Sequence, residues 1–147
     1  MRLRRPRRPQ QFRLADSAQQ MVGGFLLAGP FVVTEEVWDL AANMSLPQAL
    51  TIVALVFTIG YAALYKADAT RDADDEQEVA GVPIRFISLM VVTFGSVTVL
   101  ALLFGAPSTF LETASTGTLV ETTFKAVSVG SVFSVVGAAT ADSIFAK

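Results

Sequence analysis

Two residue types that serve most enzyme and metal sites are missing from this 147-residue chain, which has no cysteine and no histidine. The absence of cysteine excludes a disulfide framework, a thiol nucleophile and a thiolate metal site. The absence of histidine removes imidazole ligands and the commonest general base. Asp39 and Asp142 lie at opposite ends of their apolar segments, so they cannot form a paired-aspartate site either. We therefore expect no enzyme activity and no resident cofactor.

Charged residues are also scarce. They make up 16% of the chain against 52% hydrophobic residues, and the mean hydropathy is +0.54. This composition is too apolar for an ordinary soluble domain and indicates a membrane protein. The few charges are segregated, with six arginines in residues 1–14 and six acids between Asp68 and Glu78. A cysteine-free chain with an acidic loop is compatible with a halophile source.

Four apolar segments are long enough to cross about 30 Å of hydrocarbon, which takes about 20 helical residues. They lie at residues 21–42, 46–65, 84–104 and 119–141. Helices are expected because an open sheet cannot satisfy its backbone in lipid. The sequence thus predicts an all-α polytopic membrane protein with four transmembrane helices. An Arg-rich tail over residues 1–20 precedes the membrane domain at 21–147, and an acidic loop covers 66–83.

The basic residues outside the apolar segments favour one orientation in the plasma membrane. They lie in the N-terminal tail, around the 66–83 loop and at Lys147, whereas the other two loops have no Lys or Arg. Because basic residues mark cytoplasmic flanks, both termini are predicted to be cytoplasmic. The tail is expected to bind anionic lipid headgroups. No folded module accompanies it, so nucleic-acid binding is not expected.

Three carboxylates interrupt the first apolar segment, in the stretch GPFVVTEEVWDLAANMS. On a helix, Glu35, Glu36 and Asp39 would share one arc about 100° wide. Charges inside a membrane are costly, so these side chains should face water, protein or cations. Repeated around a symmetry axis, they would form an acidic ring at the extracellular mouth of a pore. Such oxygen ligands suit hard divalent cations, Ca²⁺ above all, so the three are the predicted metal ligands.

The same helical face continues below the acids with small or apolar residues. Val32, Ala28 and Gly24 would line a narrow hydrophobic constriction of the kind that closes channels. Gly29 and Pro30 lie one turn below the acids, and Pro30 cannot donate a helical hydrogen bond. The pair is therefore predicted to form a hinge.

Explanations without ion binding remain open. The three acids could mark the end of the span, or they could pair with Lys125 at a similar depth in the fourth segment. Glu121 lies four residues before Lys125 and is predicted to form an ion pair with it. One lysine cannot neutralise all four acids.

The fourth segment carries a further polar pattern. Small residues recur there at helical spacing and predict a tight packing seam, with a serine-lined cavity wall as the alternative: Gly130, Ser134, Gly137 and Ala141. Asp142 follows at the inner end, where it can cap the helix or meet an arginine.

The first apolar segment contains the pattern Gly-Gly…Pro…Glu-Glu-x-x-Asp within LADSAQQMVGGFLLAGPFVVTEEVWDLA. This pattern resembles that of a family of small uncharacterised prokaryotic integral-membrane proteins, well represented in halophiles. The resemblance implies four spans and carries no activity over. The run EEVWD is also similar in chemistry to the filter of the mitochondrial calcium uniporter, because Trp38 precedes Asp39. Here Glu35 and Glu36 come before the tryptophan, and no Glu-Pro follows.

The sequence therefore favours a homo-oligomeric cation channel, selective for divalent ions, with Glu35, Glu36 and Asp39 as its filter. One alternative is an ion-coupled cation carrier in which carboxylates and Lys125 alternate between the ion and an ion pair. Another is a subunit that transports nothing and binds a partner through the acidic cluster.

Overall fold

The computed structural model describes residues 12–66, 72–73 and 77–145, most of them helical. The helices are α1 (Leu14–Val32), α2 (Glu35–Ala42), α3 (Leu46–Tyr65), α4 (Ile84–Leu103), α5 (Ala106–Phe110) and α6 (Thr116–Phe145). Among the described residues, three helices are long and apolar enough to cross a membrane, or four if the bent pair α1–α2 is one span. The predicted all-helical membrane fold is confirmed, whereas the orientation of the termini stays a prediction.

The first predicted span differs from the structure at both ends. Its helix begins at Leu14 and stops at Val32, and α2 then leaves at an angle of 79° to α1. Pro30 lies in the last turn of α1, and the break falls at Val33 and Thr34, beyond the predicted Gly29–Pro30 hinge. The Thr34 backbone N–H and hydroxyl both donate to the Phe31 carbonyl, at 3.0 and 2.7 Å. Carbonyls freed at the helix end are thus satisfied locally, which stabilises the bend.

Helix α6 is the centre of the bundle, since it packs against α1, α2, α3 and α4. In its most apolar window 67% of the residues are buried, compared with 28% for α3. The helix is also longer than the predicted span at 119–141, because it extends from Thr116 to Phe145. The other helices therefore surround α6 and leave their outer faces to lipid.

The contact between α1 and α6 depends on two glycines. A Cβ atom built on Gly23 would overlap the Gly137 carbonyl oxygen, and one on Gly137 would overlap that of Gly23. The two backbones touch directly, as they do where small residues meet in membrane helix pairs. This contact supports the packing seam predicted for the fourth segment.

Two apolar clusters fill opposite ends of the bundle. The first lies at the α2 end, where α1 finishes and α6 begins: Ala28, Val32, Val37, Trp38, Ala41, Val97, Ala101, Ala106, Ala126 and Val127. The second packs α3 and α4 against the later part of α6: Val56, Leu64, Tyr65, Leu89, Met90, Val135, Ala138 and Ala139. We call the first cluster the apolar plug.

A short β-hairpin lies immediately before α4. Strands β1 (Glu78–Val79) and β2 (Val82–Pro83) pair antiparallel, with positive φ at Ala80 and Gly81. Two such residues between paired strands are typical of a tight hairpin turn. We call this side of the bundle, where α1 and α4 begin and α6 finishes, the hairpin end. Residues 1–11, which hold most of the predicted lipid-binding tail, and 67–71 and 74–76 of the acidic loop lie outside the described residues.

Candidate functional site

The three carboxylates of the first predicted span lie on the outside of α2. Glu35, Glu36 and Asp39 are exposed, whereas Val37 and Trp38 on the opposite face are buried. Helix α2 therefore rests on the bundle through its apolar face and points its acids away from it. Because α2 turns sharply from α1, the acids do not continue the inner face of α1 as a straight helix would require.

Helix α2 is held in place by its tryptophan. The Trp38 ring stacks on Phe110 with centroids 5.9 Å apart, and its Nε1 donates to the Val32 carbonyl at 2.8 Å. This bond crosses the break and reaches the last residue of α1. The side chain thus joins α2, α1 and α5 at one point.

The predicted constriction is inside a single chain. Val32 and Ala28 are fully buried, and Gly24 is buried against serines of α4 and α6. A pore that ran between copies of the chain and was lined by these residues would need the helices of one chain to separate first. Among residues 12–66, 72–73 and 77–145, no group of three or more acids could hold one metal ion. The predicted Glu35, Glu36 and Asp39 site, shared between copies, stays a prediction.

Lys125 is buried near the α2 end of α6. Its Nζ lies 2.8 Å from Glu121 Oε1, in the i,i+4 arrangement that the sequence indicated. Glu121 itself is exposed. The ion pair thus connects a buried ammonium group to the surface of the protein.

A second group of polar side chains, which the sequence did not predict as a site, lies buried at the hairpin end. We call it the Arg85 cluster (Asp16, Gln20, Arg85, Ser88 and Asp142). Arg85 Nη1 donates to Asp142 Oδ1 at 2.7 Å, and Arg85 Nη2 lies 3.6 Å from Asp16 Oδ2. Asp142 is fully buried and Arg85 is 3% exposed. Removing one partner of such a buried pair typically costs about 3–5 kcal/mol, so the cluster fastens α1, α4 and α6 together.

An amide and a hydroxyl complete the Arg85 cluster. Gln20 Nε2 donates to Asp142 Oδ1 at 3.2 Å, and Gln20 Oε1 accepts a hydrogen bond from Ser88 Oγ at 2.8 Å. Ser17 Oγ lies 2.7 Å from Ser88 Oγ and extends the network toward the surface. The cluster therefore holds one guanidinium group between two carboxylates, and amide and hydroxyl groups bond to Asp142 and to each other.

Polar side chains continue from the cluster toward the middle of the bundle, along the junction of α1, α4 and α6. Ser134 of α6 donates to the Thr93 carbonyl of α4 at 3.0 Å. Ser96 and Ser134 both approach Gly24, which follows Gln20 by one turn of α1. We call this junction, from Asp16 to Ser96, the polar seam. It ends beneath the apolar plug, where Ala28 and Val97 succeed Gly24 and Ser96.

Sequence reasoning missed most of this seam for an identifiable reason. Arg85 was counted as a flanking charge, and Asp16 and Gln20 were placed in the N-terminal tail. Asp142 alone was assigned a possible arginine partner. The four-residue spacing of Asp16, Gln20 and Gly24 was the signal that could have extended α1 and marked its polar face.

One comparison with known proteins identifies a family. Residues 4–144 match the family described as "Putative integral membrane protein (DUF2391)". No curated protein and no solved structure matches the chain.

Proposed function

Since this chain belongs to the DUF2391 family of integral membrane proteins, we propose that it is an ion-coupled carrier that moves a small cation through its own helical bundle. The observation that carries the proposal is the polar seam, buried inside one chain and closed by the apolar plug. Polar and ionisable side chains within a membrane span are expensive and usually mark an ion pathway. Here they converge from three helices.

The shape of the seam favours a carrier over an open pore. At 1.5 Å per residue, the seam follows α4 for roughly 16 Å from Arg85 to Ser96. That is about half the thickness of the hydrocarbon core. The remaining half is the apolar plug with its buried Trp38. A buried polar path that starts at one end of the bundle and stops at an apolar seal fits the alternating access of carriers.

The Arg85 cluster supplies the chemistry of the exchange. The carboxylates of Asp142 and Asp16 are hard oxygen ligands, and the Gln20 carbonyl and the Ser88 hydroxyl add neutral ones. In the described state the Arg85 guanidinium group contacts the two carboxylates. A cation that binds the carboxylates would compete with Arg85. The carboxylates can then hold either the ion or the guanidinium group, but not both at once. This competition couples ion binding to the packing of α1, α4 and α6.

The proposal is tested by tracer counterflow in proteoliposomes. Vesicles loaded with unlabelled Na⁺, Rb⁺ or Ca²⁺ would receive a trace of the same labelled ion outside. With the membrane potential held at zero, a carrier accumulates the tracer transiently and saturates, whereas a channel equilibrates without an overshoot. The double variant Arg85→Gln/Asp142→Asn removes both charges of the closest pair together. Asp16 keeps the hydrogen bond that it accepts from the Arg13 backbone N–H. We expect the double variant to reduce counterflow at least about tenfold, a loss of roughly 1.4 kcal/mol.

The matched control is the triple variant Glu35→Gln/Glu36→Gln/Asp39→Asn on the exposed face of α2. It should keep counterflow if the path runs through the polar seam. Counterflow that survives in the double variant would contradict the carrier, as would the lack of counterflow for all three ions in the wild type.

The homo-oligomeric channel for divalent cations remains a second candidate, because the α2 acids are exposed and can face neighbouring copies. Their ring would bind Ca²⁺ between chains. This candidate predicts non-saturable Ca²⁺ flux that the α2 triple variant abolishes and the double variant retains. The same set of vesicles therefore separates the two functions.

A further inference from the structure

The polar seam ends at two hydroxyl groups that make no hydrogen bond to any described residue. They belong to Thr93 and Ser96 on α4, which are 0% and 3% exposed. A buried hydroxyl without a partner is destabilising, so such groups in native proteins usually have a partner of some kind.

Both residues lie in a helix, where a backbone carbonyl is the usual hydrogen-bond partner of such a hydroxyl group. Serines and threonines in membrane helices commonly donate to the carbonyl four residues earlier. Thr98 on the same helix does so to Phe94 at 2.8 Å, and Ser128 and Ser131 on α6 do so to their own helix. Thr93 and Ser96 forgo this bond and direct their hydroxyl groups elsewhere.

The Ser96 hydroxyl lies beside a glycine of α1, which leaves free the volume that a Cβ atom would fill. A Cβ atom on Gly24 would lie 2.9 Å from Ser134 Oγ and 3.4 Å from Ser96 Oγ. Ser134 uses its proton on the Thr93 carbonyl, so its oxygen can still accept a hydrogen bond. Helices α4 and α6 thus bring hydroxyl oxygens to one point, where a side chain in place of Gly24 on α1 would collide with them.

We infer that Gly24, Thr93, Ser96 and Ser134 enclose a binding site for a water molecule in the middle of the bundle. Water needs two to four polar partners in a buried site and can donate and accept, as these hydroxyls require. A metal ion is less well served, because the site offers neutral hydroxyls and the nearest carboxylate on α1, Asp16, lies two turns away. Gln20, one turn below Gly24, connects the site to the Arg85 cluster.

The site gives the polar seam a hydrated end. Its role in transport rests on the proposed carrier function, in which the water would solvate the cation halfway across the membrane. The existence of the water site does not rest on that function, because hydroxyl groups at this position need a hydrogen-bond partner whether or not an ion passes.

The sign of a stability change tests the site. Thr93→Val replaces a hydroxyl by a methyl group of similar shape. If a water bonds to Thr93, the variant loses that bond, and we expect the thermal unfolding midpoint to fall by roughly 3–6 °C. If the pocket is dry, the variant removes an unsatisfied polar group and the midpoint stays or rises. Thr98→Val is the control on the same helix, and it should change the midpoint little.

A second measurement detects the water directly. Solid-state NMR of the full chain in lipid bilayers can follow polarisation from water protons to backbone amides. We expect rapid transfer at Gly24 and slow transfer at Ala28, one turn further into the apolar plug. An unchanged or raised midpoint in Thr93→Val, or equally slow transfer at both residues, would overturn the inference. Neither measurement depends on ion flux, so failure of the carrier proposal and failure of the water site are distinguishable.

Discussion

The glycines of this chain have different structural roles, which the residue type alone does not distinguish. Gly23 meets the backbone of Gly137 so closely that no side chain fits between α1 and α6. Gly95 lies in the interior of α4, and apart from its chain neighbours and the nearby backbone of its own helix, no described atom comes within 4 Å of its Cβ position. Packing requires Gly23, whereas Gly95 only lowers the helix propensity of α4.

The two glycines should respond in opposite directions to the same substitution. Gly23→Ala would force α1 away from α6, and we expect the free energy of unfolding to fall by about 1–3 kcal/mol. Gly95→Ala should leave stability unchanged or raise it by roughly 0.5–1 kcal/mol. Unfolding of the purified variants in mixed micelles measures both, and equal effects would contradict the close contact.

At the scale of elements, the decisive feature is the break between α1 and α2. The apolar run continues past Pro30 and therefore predicts one helix through Ala42. No local sequence preference specifies a bend of 79°. The bend depends on Trp38, which bonds to the Val32 carbonyl and stacks on Phe110 from a distant part of the chain. Helix existence was therefore predictable, because hydropathy determines it. The position of the break was not, because a tertiary contact determines it.

The chain's one tryptophan makes this contact measurable. Phe110→Ala removes the stacking partner of Trp38, so α2 should loosen from the bundle. We expect the tryptophan emission to move to longer wavelength and iodide quenching to increase several-fold. Phe57→Ala on α3 removes a comparable ring from a different aromatic group and should leave the emission unchanged. Identical spectra for the wild type and Phe110→Ala would show that α2 is held by other contacts.

At the scale of the whole molecule, the polar seam joins residues that are far apart in sequence. Gln20 and Asp142 are separated by 122 residues, and Arg85 and Asp142 by 57. Counting basic residues treats Arg85 as a flanking charge, and such counting cannot predict which residues at one end of the bundle contact each other. The number of apolar helices was thus predictable from composition, whereas the site depended on the order in which α1, α4 and α6 pack.

The orientation of the whole molecule can be tested because the chain has no native cysteine. Single cysteines at exposed positions should label from opposite sides of the membrane. Asn43→Cys and Glu112→Cys are expected to react with an impermeant maleimide on intact cells, and Glu78→Cys only after lysis. The reverse pattern would invert the predicted topology, and labelling of all three from outside would contradict the number of spans.

The central place of α6 has a consequence for the way the protein is made. This helix follows the others along the chain, yet α1, α2, α3 and α4 all pack against it. Before α6 is inserted, Arg85 lies in the membrane without Asp142, and Gly23 faces lipid instead of Gly137. The bundle therefore closes only after α6 has been made. A transcript cut short before α6 would leave behind an unfinished set of helices in which Arg85 lacks Asp142, which is the kind of product that membrane quality-control proteases remove.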